Sequence, residues 1–224
     1  MKLCILGATG RTGEELVLQA LEKDYSVVAY VRHPKKLTKR RQITMVTGEL
    51  NDITKMASAM KGCDAVLMAL GNPVSNSSGN LFSLAMPNII EAMDKAGIKR
   101  LISLSALGVG ATYHNTRYPY RMGARGFLKG NFADHEAGET QLSASVLDWT
   151  TVHPGPLFNG KRSAKPLVRD AALGDKMPGV PRTNRADVAQ VMLQIINDSK
   201  TYRKQLIMCS KQDQPTPLVK TGNL

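Results

Sequence analysis

The sequence predicts an α/β fold, a single doubly wound parallel sheet with helices on both faces, from three observations. Short apolar runs alternate with helical patterns from the start of the chain, so strands would be joined by crossover helices. The runs at 2–6, 26–31, 43–46, 63–71 and 99–104 are near-continuous rather than alternating, as strands covered on both faces are. The first of them stops at a glycine loop that opens a helix. Right-handed crossovers then gather the loops after each strand at one edge of the sheet.

Taken in order, the first turn is the most informative. Lys2-Leu3-Cys4-Ile5-Leu6 runs into Gly7-Ala8-Thr9-Gly10-Arg11-Thr12-Gly13, followed by a helical pattern over 14–23. The free N–H groups at a helix start make a seat for phosphate. Gly7 allows the tight turn, Gly10 removes a side chain from the line of approach, and Gly13 lets helix and strand pack closely. The spacing is G-x-x-G-x-x-G, a variant of the usual dinucleotide loop, with Thr9, Arg11 and Thr12 between the glycines.

The second strand ends at Arg32-His33-Pro34-Lys35-Lys36. In a strand-helix-strand unit this end lies beside the adenosine ribose. An acidic residue there would repel a 2′-phosphate, whereas Arg32, backed by Lys35 or Lys36, would hold one. NADPH is therefore expected over NADH. After the third strand comes Gly48-Glu49-Leu50-Asn51-Asp52, where Asp52 is placed to cap a helix through Lys61 and Glu49 or Leu50 to lie near the adenine. The fourth strand leads through Ala69 and Leu70 to Gly71, across the crevice from the first loop, where the cofactor's backbone would pass. A polar loop over 72–80 is expected to be mobile. The next helix runs to Ala96 and stops at Gly97; it either begins near Ser83 with Pro87 in its first turn or is kinked at Pro87.

The second half should carry the chemistry. Ser105 is the last polar residue before the loop after the fifth strand, placed to bond a substrate carbonyl or the nicotinamide amide, or else the neighbouring backbone. Residues 108–130 read as a long loop in which Tyr113, Tyr118 and Tyr120 interleave with Arg117, Arg121 and Arg125. That mixture suits a planar anionic substrate and would also suit single-stranded nucleic acid. A helix over 131–145 and a strand over 148–153 follow, and Pro154-Gly155-Pro156-Leu157 would close over the ring end. His153 invites an acid/base reading, with no carboxylate visibly placed to orient it. Residues 167–169 and 205–208 read as strands, and Asn184 opens a helix over 185–198. One domain over 1–213 with a frayed tail over 214–224 completes the expectation.

The 224 residues, 42% hydrophobic and 21% charged, are ordinary for a globular domain with a full core. No run approaches a membrane span and no signal-peptide pattern is present, so cytoplasm is the expected compartment. Cys4, Cys63 and Cys209 are isolated, which argues against a disulfide frame or a zinc site, and no metal is expected. The net charge of +12 falls largely in 33–41 and 117–129, a pattern that favours attraction of anionic small molecules over nucleic acid as main partner. Monomer and dimer stay open.

With Gly7 to Gly13, Arg32, Gly71, Ser105-Ala106, the run Leu147-Asp148-Trp149-Thr150-Thr151-Val152-His153-Pro154-Gly155 and Arg185-Ala186-Asp187-Val188-Ala189 in view, the chain resembles the NAD(P)H-binding branch of the atypical short-chain dehydrogenases. That branch includes the NmrA-like proteins and the biliverdin reductase B/flavin reductase group. The resemblance implies a Rossmann-type fold, NADPH across the strand edges, and hydride delivered to a flavin, quinone or similar acceptor. It implies pyrophosphate contacts from the glycine loop and nicotinamide-end contacts from Ser105 and Pro154. The Tyr-x-x-x-Lys pair of proton-relaying short-chain dehydrogenases is missing from 131–135, the arginine common before Pro-Gly is His153, and a histidine of the flavin reductases aligns with Pro156. These departures weigh against ketone reduction. They fit a flavin reductase and equally a non-catalytic sensor of NADP(H), while a third reading, an isomerase or epimerase, is weakened by the same missing pair.

Overall fold

A computed structural model describes residues 1–34, 42–71, 80–126 and 129–210. The chain opens with β1 (Lys2–Leu6), α1 (Arg11–Glu22), β2 (Ser26–Val31), β3 (Ile43–Thr47), α2 (Ile53–Met60) and β4 (Ala65–Met68). It continues through α3 (Leu81–Ala96), β5 (Arg100–Leu104), α4 (Tyr120–Arg125), α5 (Lys129–Ser143) and β6 (Asp148–Pro154). The last part holds β7 (Leu157–Phe158), β8 (Leu167–Asp170), β9 (Thr183–Asn184), α6 (Arg185–Gln194) and β10 (Lys204–Cys209).

The main sheet has the order β3-β2-β1-β4-β5-β6-β10-β8. Its first seven strands are parallel, and β8 runs antiparallel to β10, pairing Leu206 with Asp170 and Cys209 with Leu167. The expected doubly wound parallel sheet thus carries an antiparallel strand at that edge, and β7 and β9 form a separate parallel pair. The chain leaves β1 toward β2 and β3 and then returns to β4 on the other side. The glycine loop after β1 therefore sits where the strand order reverses, the place where open α/β sheets bind ligands.

Alternation along β1 shows how the layers are held. Leu3 and Ile5 share one apolar cluster with Leu16, Val17 and Ala20 of α1 and Val188 and Met192 of α6. Cys4 and Leu6 point the other way, into a cluster with Met56 and Met60 of α2, Met86, Ile89 and Met93 of α3, and Leu142 of α5. Because both faces are covered, the strands need apolar residues at every position, which is the pattern the sequence carries. Each fully buried large side chain contributes roughly 1.5–3 kcal/mol.

Polar groups fix the helix ends. Oδ1 of Asp52 accepts from the Lys55 N–H at 3.0 Å, as expected, and Gly97 ends α3 in the left-handed region at φ 73°. The helix α3 starts earlier than expected, at Leu81, so Pro87 falls in its second turn. Pro87 has no N–H to offer the Ser83 carbonyl, and Nε2 of Gln141 on α5 donates there instead at 3.2 Å. Asp134 of α5 caps the same helix, accepting from the Phe82 and Ser83 N–H groups at 3.0 Å each. The helix α6 stops at Gln194 rather than near 198. Arg100 closes it, donating to the carbonyls of Ile195 and Ile196 at 2.7 and 2.9 Å.

The region expected as a long loop is instead built. A 3-10 helix occupies Gly110–Asn115 and α4 follows, with the Tyr120 hydroxyl donating to the Leu107 carbonyl at 2.7 Å. Thr112 Oγ1 accepts from the Gly108 N–H and donates to the Val109 carbonyl. Expectations about Lys35 and Lys36, the loop over 72–79, the Arg125 side chain and the tail over 214–224 lie outside the described residues.

Candidate active site

The glycine loop has the geometry its spacing predicts. Gly7 adopts φ +81°, and a Cβ on it would stand 2.6 Å from the Ala69 carbonyl oxygen at the end of β4. A Cβ on Gly13 would stand 2.1 Å from the Gly7 carbonyl oxygen, so α1 presses directly on the loop. Gly10 is the N-cap of α1 and offers no side-chain acceptor to the helix. The first-turn N–H groups and the positive end of the helix dipole are thus left for an external anion. Arg11 is exposed beside them, Thr9 half-buried and Thr12 buried.

Next to this loop lies a cavity of about 270 Å³, with Arg32, Leu50, Leu70, Gly71, Leu81 and Leu84 among its lining residues. Arg32, Leu50, Leu70 and Gly71, expected at the adenosine side and along the cofactor backbone, all meet here. Glu49 also lines the cavity, and its carbonyl accepts from the Tyr30 hydroxyl at 2.8 Å, which fixes the turn after β3. Apolar walls with a guanidinium at the rim fit a base and a ribose phosphate, and an uncapped helix start fits a pyrophosphate. The residues present therefore suit a dinucleotide.

At the far end of the same sheet edge, Ser105, His153 and Pro154 come together with two residues that sequence reasoning missed. The Ser105 hydroxyl donates to Oε1 of Glu139 on α5, so it bonds neither strand backbone nor, in this arrangement, open cleft. Nε2 of Gln205 on β10 donates to Oε2 of Glu139 at 2.9 Å, and Oε2 lies 3.6 Å from His153 Nε2. The expectation that His153 has no carboxylate nearby is thereby corrected. His153 is also fully buried, so it reaches an acceptor only through its neighbours. Its Nδ1 lies 3.0 Å from the Ala106 carbonyl, which can only accept, and this places the proton on Nδ1. Nε2 is then free to accept from the Thr151 hydroxyl at 2.8 Å. Pro154 ends β6, buried, its carbonyl accepting from the Leu107 N–H at 2.8 Å.

The second missed residue is His135, one helical turn before Glu139 on α5 and stacked on Phe82 with ring centroids 3.7 Å apart. Burial pushes both His153 and His135 down to about 4, and it pushes the Glu139 carboxyl up to about 7. The hydrogen bonds from Ser105 and Gln205 oppose that rise, and the charge of Glu136 adds to it. Two neutral imidazoles thus share a cluster with a carboxyl whose ionised form burial disfavours. Its signal in the sequence is faint, because it joins residues 34 positions apart on separate elements.

The tyrosine-arginine segment contributes less than expected to an open site. The Tyr120 hydroxyl is taken by backbone, and the Arg121 guanidinium lies 4.8 Å over the Tyr113 ring, while Tyr118 is exposed. Among the described residues, no group of three or more His, Cys, Asp or Glu is arranged to hold a metal ion. Nor is any described helix long and apolar enough to cross a membrane.

The family model described as NAD(P)H-binding matches residues 7–199. The uncharacterized sugar epimerase YhfK of Bacillus subtilis is 30% identical over 166 residues, covering 71% of this chain and 73% of that protein. A short-chain dehydrogenase/reductase from Veillonella parvula, solved in complex with NADP, superposes with a TM-score of 0.79 at 16% identity over 96% of this chain and 98% of its own. The anaerobilin reductase ChuY from Escherichia coli O157:H7 gives a TM-score of 0.78 at 22% identity, covering 96% and 100%. These likenesses identify the architecture as the Rossmann-type fold.

Proposed function

The chain belongs to the NAD(P)H-binding family, and from that premise we propose that it is an NADPH-dependent reductase that passes hydride to a small planar acceptor such as a flavin or a quinone. The observation that carries this reading is the shared sheet edge. An arginine-rimmed apolar cavity, an uncapped helix start and a buried serine-glutamate-histidine cluster follow one another along it in the order adenosine, phosphate, ring.

In this reading Gly7, Thr9, Gly10, Arg11, Thr12 and Gly13 hold the pyrophosphate, and Arg32 the 2′-phosphate that distinguishes NADPH from NADH. Leu50 flanks the base, Leu70 and Gly71 line the cofactor's backbone, and Ser105 and Pro154 border the nicotinamide. Bound there, the cofactor supplies hydride. The protein's share is to orient two rings face to face, exclude water and place a hydroxyl beside them. His153 acts as a positioning residue, holding the Ala106 carbonyl and backing Glu139.

Titration with NADPH and NADH followed by a flavin, quinone and dye screen on the same sample tests the proposal. Tighter NADPH binding with turnover of a planar acceptor supports it; binding without reduction of any acceptor refutes it and favours a sensor. The likeness to YhfK, whose name is that of a sugar epimerase, favours a second reading as an epimerase. An epimerase regenerates its cofactor, so stereochemical change in a sugar without net NADPH oxidation would select it.

A further inference from the structure

Resting on the reductase reading, we propose that Glu139 is the proton reservoir of the reaction and that Ser105 is the hydroxyl through which its proton reaches the acceptor. Ser105 stands at the end of β5, on the same side of the strand as Leu101, and its hydroxyl is bonded directly to Oε1 of Glu139. Gln205 pins the other carboxyl oxygen from β10, which leaves Oε1 turned toward Ser105. The Glu139 side chain keeps 11% exposure, enough for exchange with water, whereas His153 behind it keeps none.

The groups around this carboxyl favour its carrying a proton. From β6 it faces His153, whose Nδ1–H is committed to the Ala106 carbonyl. From its own helix it meets the negative charge of Glu136, and His135 lies one turn before it. The partners from β5 and β10 are the uncharged Ser105 and Gln205. Both imidazoles are held neutral by burial, so neither stabilises the carboxylate, and burial moves its ionisation up to about 7.

The step balances as follows. Once an acceptor has taken up hydride, it holds an electron pair on oxygen or nitrogen. With the carboxyl protonated, Oε1–H donates to Ser105 Oγ and the Ser105 hydrogen turns to the acceptor; Ser105 Oγ releases it to that atom, the Oε1 proton moves to Ser105 Oγ, and water later restores the carboxyl proton. The sum is NADPH, acceptor and one proton giving NADP⁺ and the acceptor reduced by two electrons and two hydrogens. An acceptor that is already a cation takes hydride alone and needs no such proton.

Two measurements on the full chain test the proposal. In the cofactor-free protein labelled with ¹³C-glutamate, one side-chain carboxyl carbon should titrate near pH 7, and that signal should be missing from E139Q. In steady state, menadione, which needs a proton, is compared with methylene blue, a cation that does not. E139Q and S105A should each lower the menadione-to-methylene-blue rate ratio by about 100-fold, and the fall in the wild-type menadione rate above about pH 7 should vanish. If E139Q does not fold, S105A carries the same comparison. A ratio equal to that of wild type in a folded variant, or no carboxyl titrating near neutrality, overturns the proton reservoir while leaving the reductase intact. Failure of the wild type to reduce either acceptor overturns the reductase reading itself, and this inference with it.

Discussion

Oε2 of Glu139 lies 3.6 Å from Nε2 of His153, and burial keeps this carboxyl-imidazole contact from being an ion pair. The consequence for stability can be worked out in sign. Between about pH 6.5 and 4 the unfolded chain protonates His153 and His135 while the native chain does not, so stability falls as the pH drops through that window. Glu139 acts oppositely: between 4.5 and about 7 the native chain keeps a proton that the unfolded chain releases, so its contribution is lost as pH rises. Urea midpoints measured across pH 4.5–7 should therefore shift in favour of E139Q, relative to wild type, as pH rises. H153Q should flatten the acid limb. A pH-independent difference between E139Q and wild type would contradict the burial of this carboxyl.

Gly13 and Gly71 should respond differently to the same substitution. A Cβ at 13 meets the Gly7 carbonyl oxygen at 2.1 Å, whereas one at 71 meets nothing within 4 Å. G13A should lose about 1–3 kcal/mol through backbone overpacking. G71A should fold with a stability within about 0.5 kcal/mol of wild type. Thermal and urea unfolding distinguish them, and equal losses would contradict the packing of α1 on its loop.

Arg32 rims the cavity beside the glycine loop. R32D should weaken NADPH by about 30-fold or more, since a charge-assisted contact is replaced by repulsion, with a much smaller change for NADH. Fluorescence titration of both cofactors measures the difference, and equal losses would reject the 2′-phosphate contact.

Asp134 joins α5 to the start of α3, accepting two backbone N–H groups and the Ser83 hydroxyl. D134A should cost about 2 kcal/mol, because it removes a helix cap and leaves buried donors without acceptors. Chemical denaturation reads the cost directly. A neutral result would mean that water serves these donors as well as the carboxylate does.

The dinucleotide half of the cleft was legible because its signals are local. Gly7, Gly10 and Gly13 act within one turn of chain, and Arg32 is placed by the end of its own strand. The ring end was legible only in part. Ser105 and His153 could be placed at strand ends, but their partner Glu139 comes from α5, which turns His135 and Glu139 inward along with apolar residues. Phe132 and Leu142 of that helix are buried too, and a helix that mixes buried apolar and polar groups gives only a weak periodic signal of which side faces in. The strand β8 was read at 167–169, but its antiparallel direction escaped, since an apolar run does not encode direction. The 3-10 helix and α4 are short and are held by contacts such as Tyr120 to Leu107, which local propensity does not report.

The central claim, that this edge of the sheet binds NADPH and delivers its hydride to a planar acceptor, is tested most directly by a single turnover. Protein loaded with one equivalent of NADPH is mixed with a quinone or FMN while the reduced-nicotinamide absorbance is followed. Loss of that absorbance much faster than in protein-free NADPH, slowed by deuterium at the transferred position of the nicotinamide, is the predicted result. Bound NADPH that persists unchanged against every flavin, quinone and dye would contradict it.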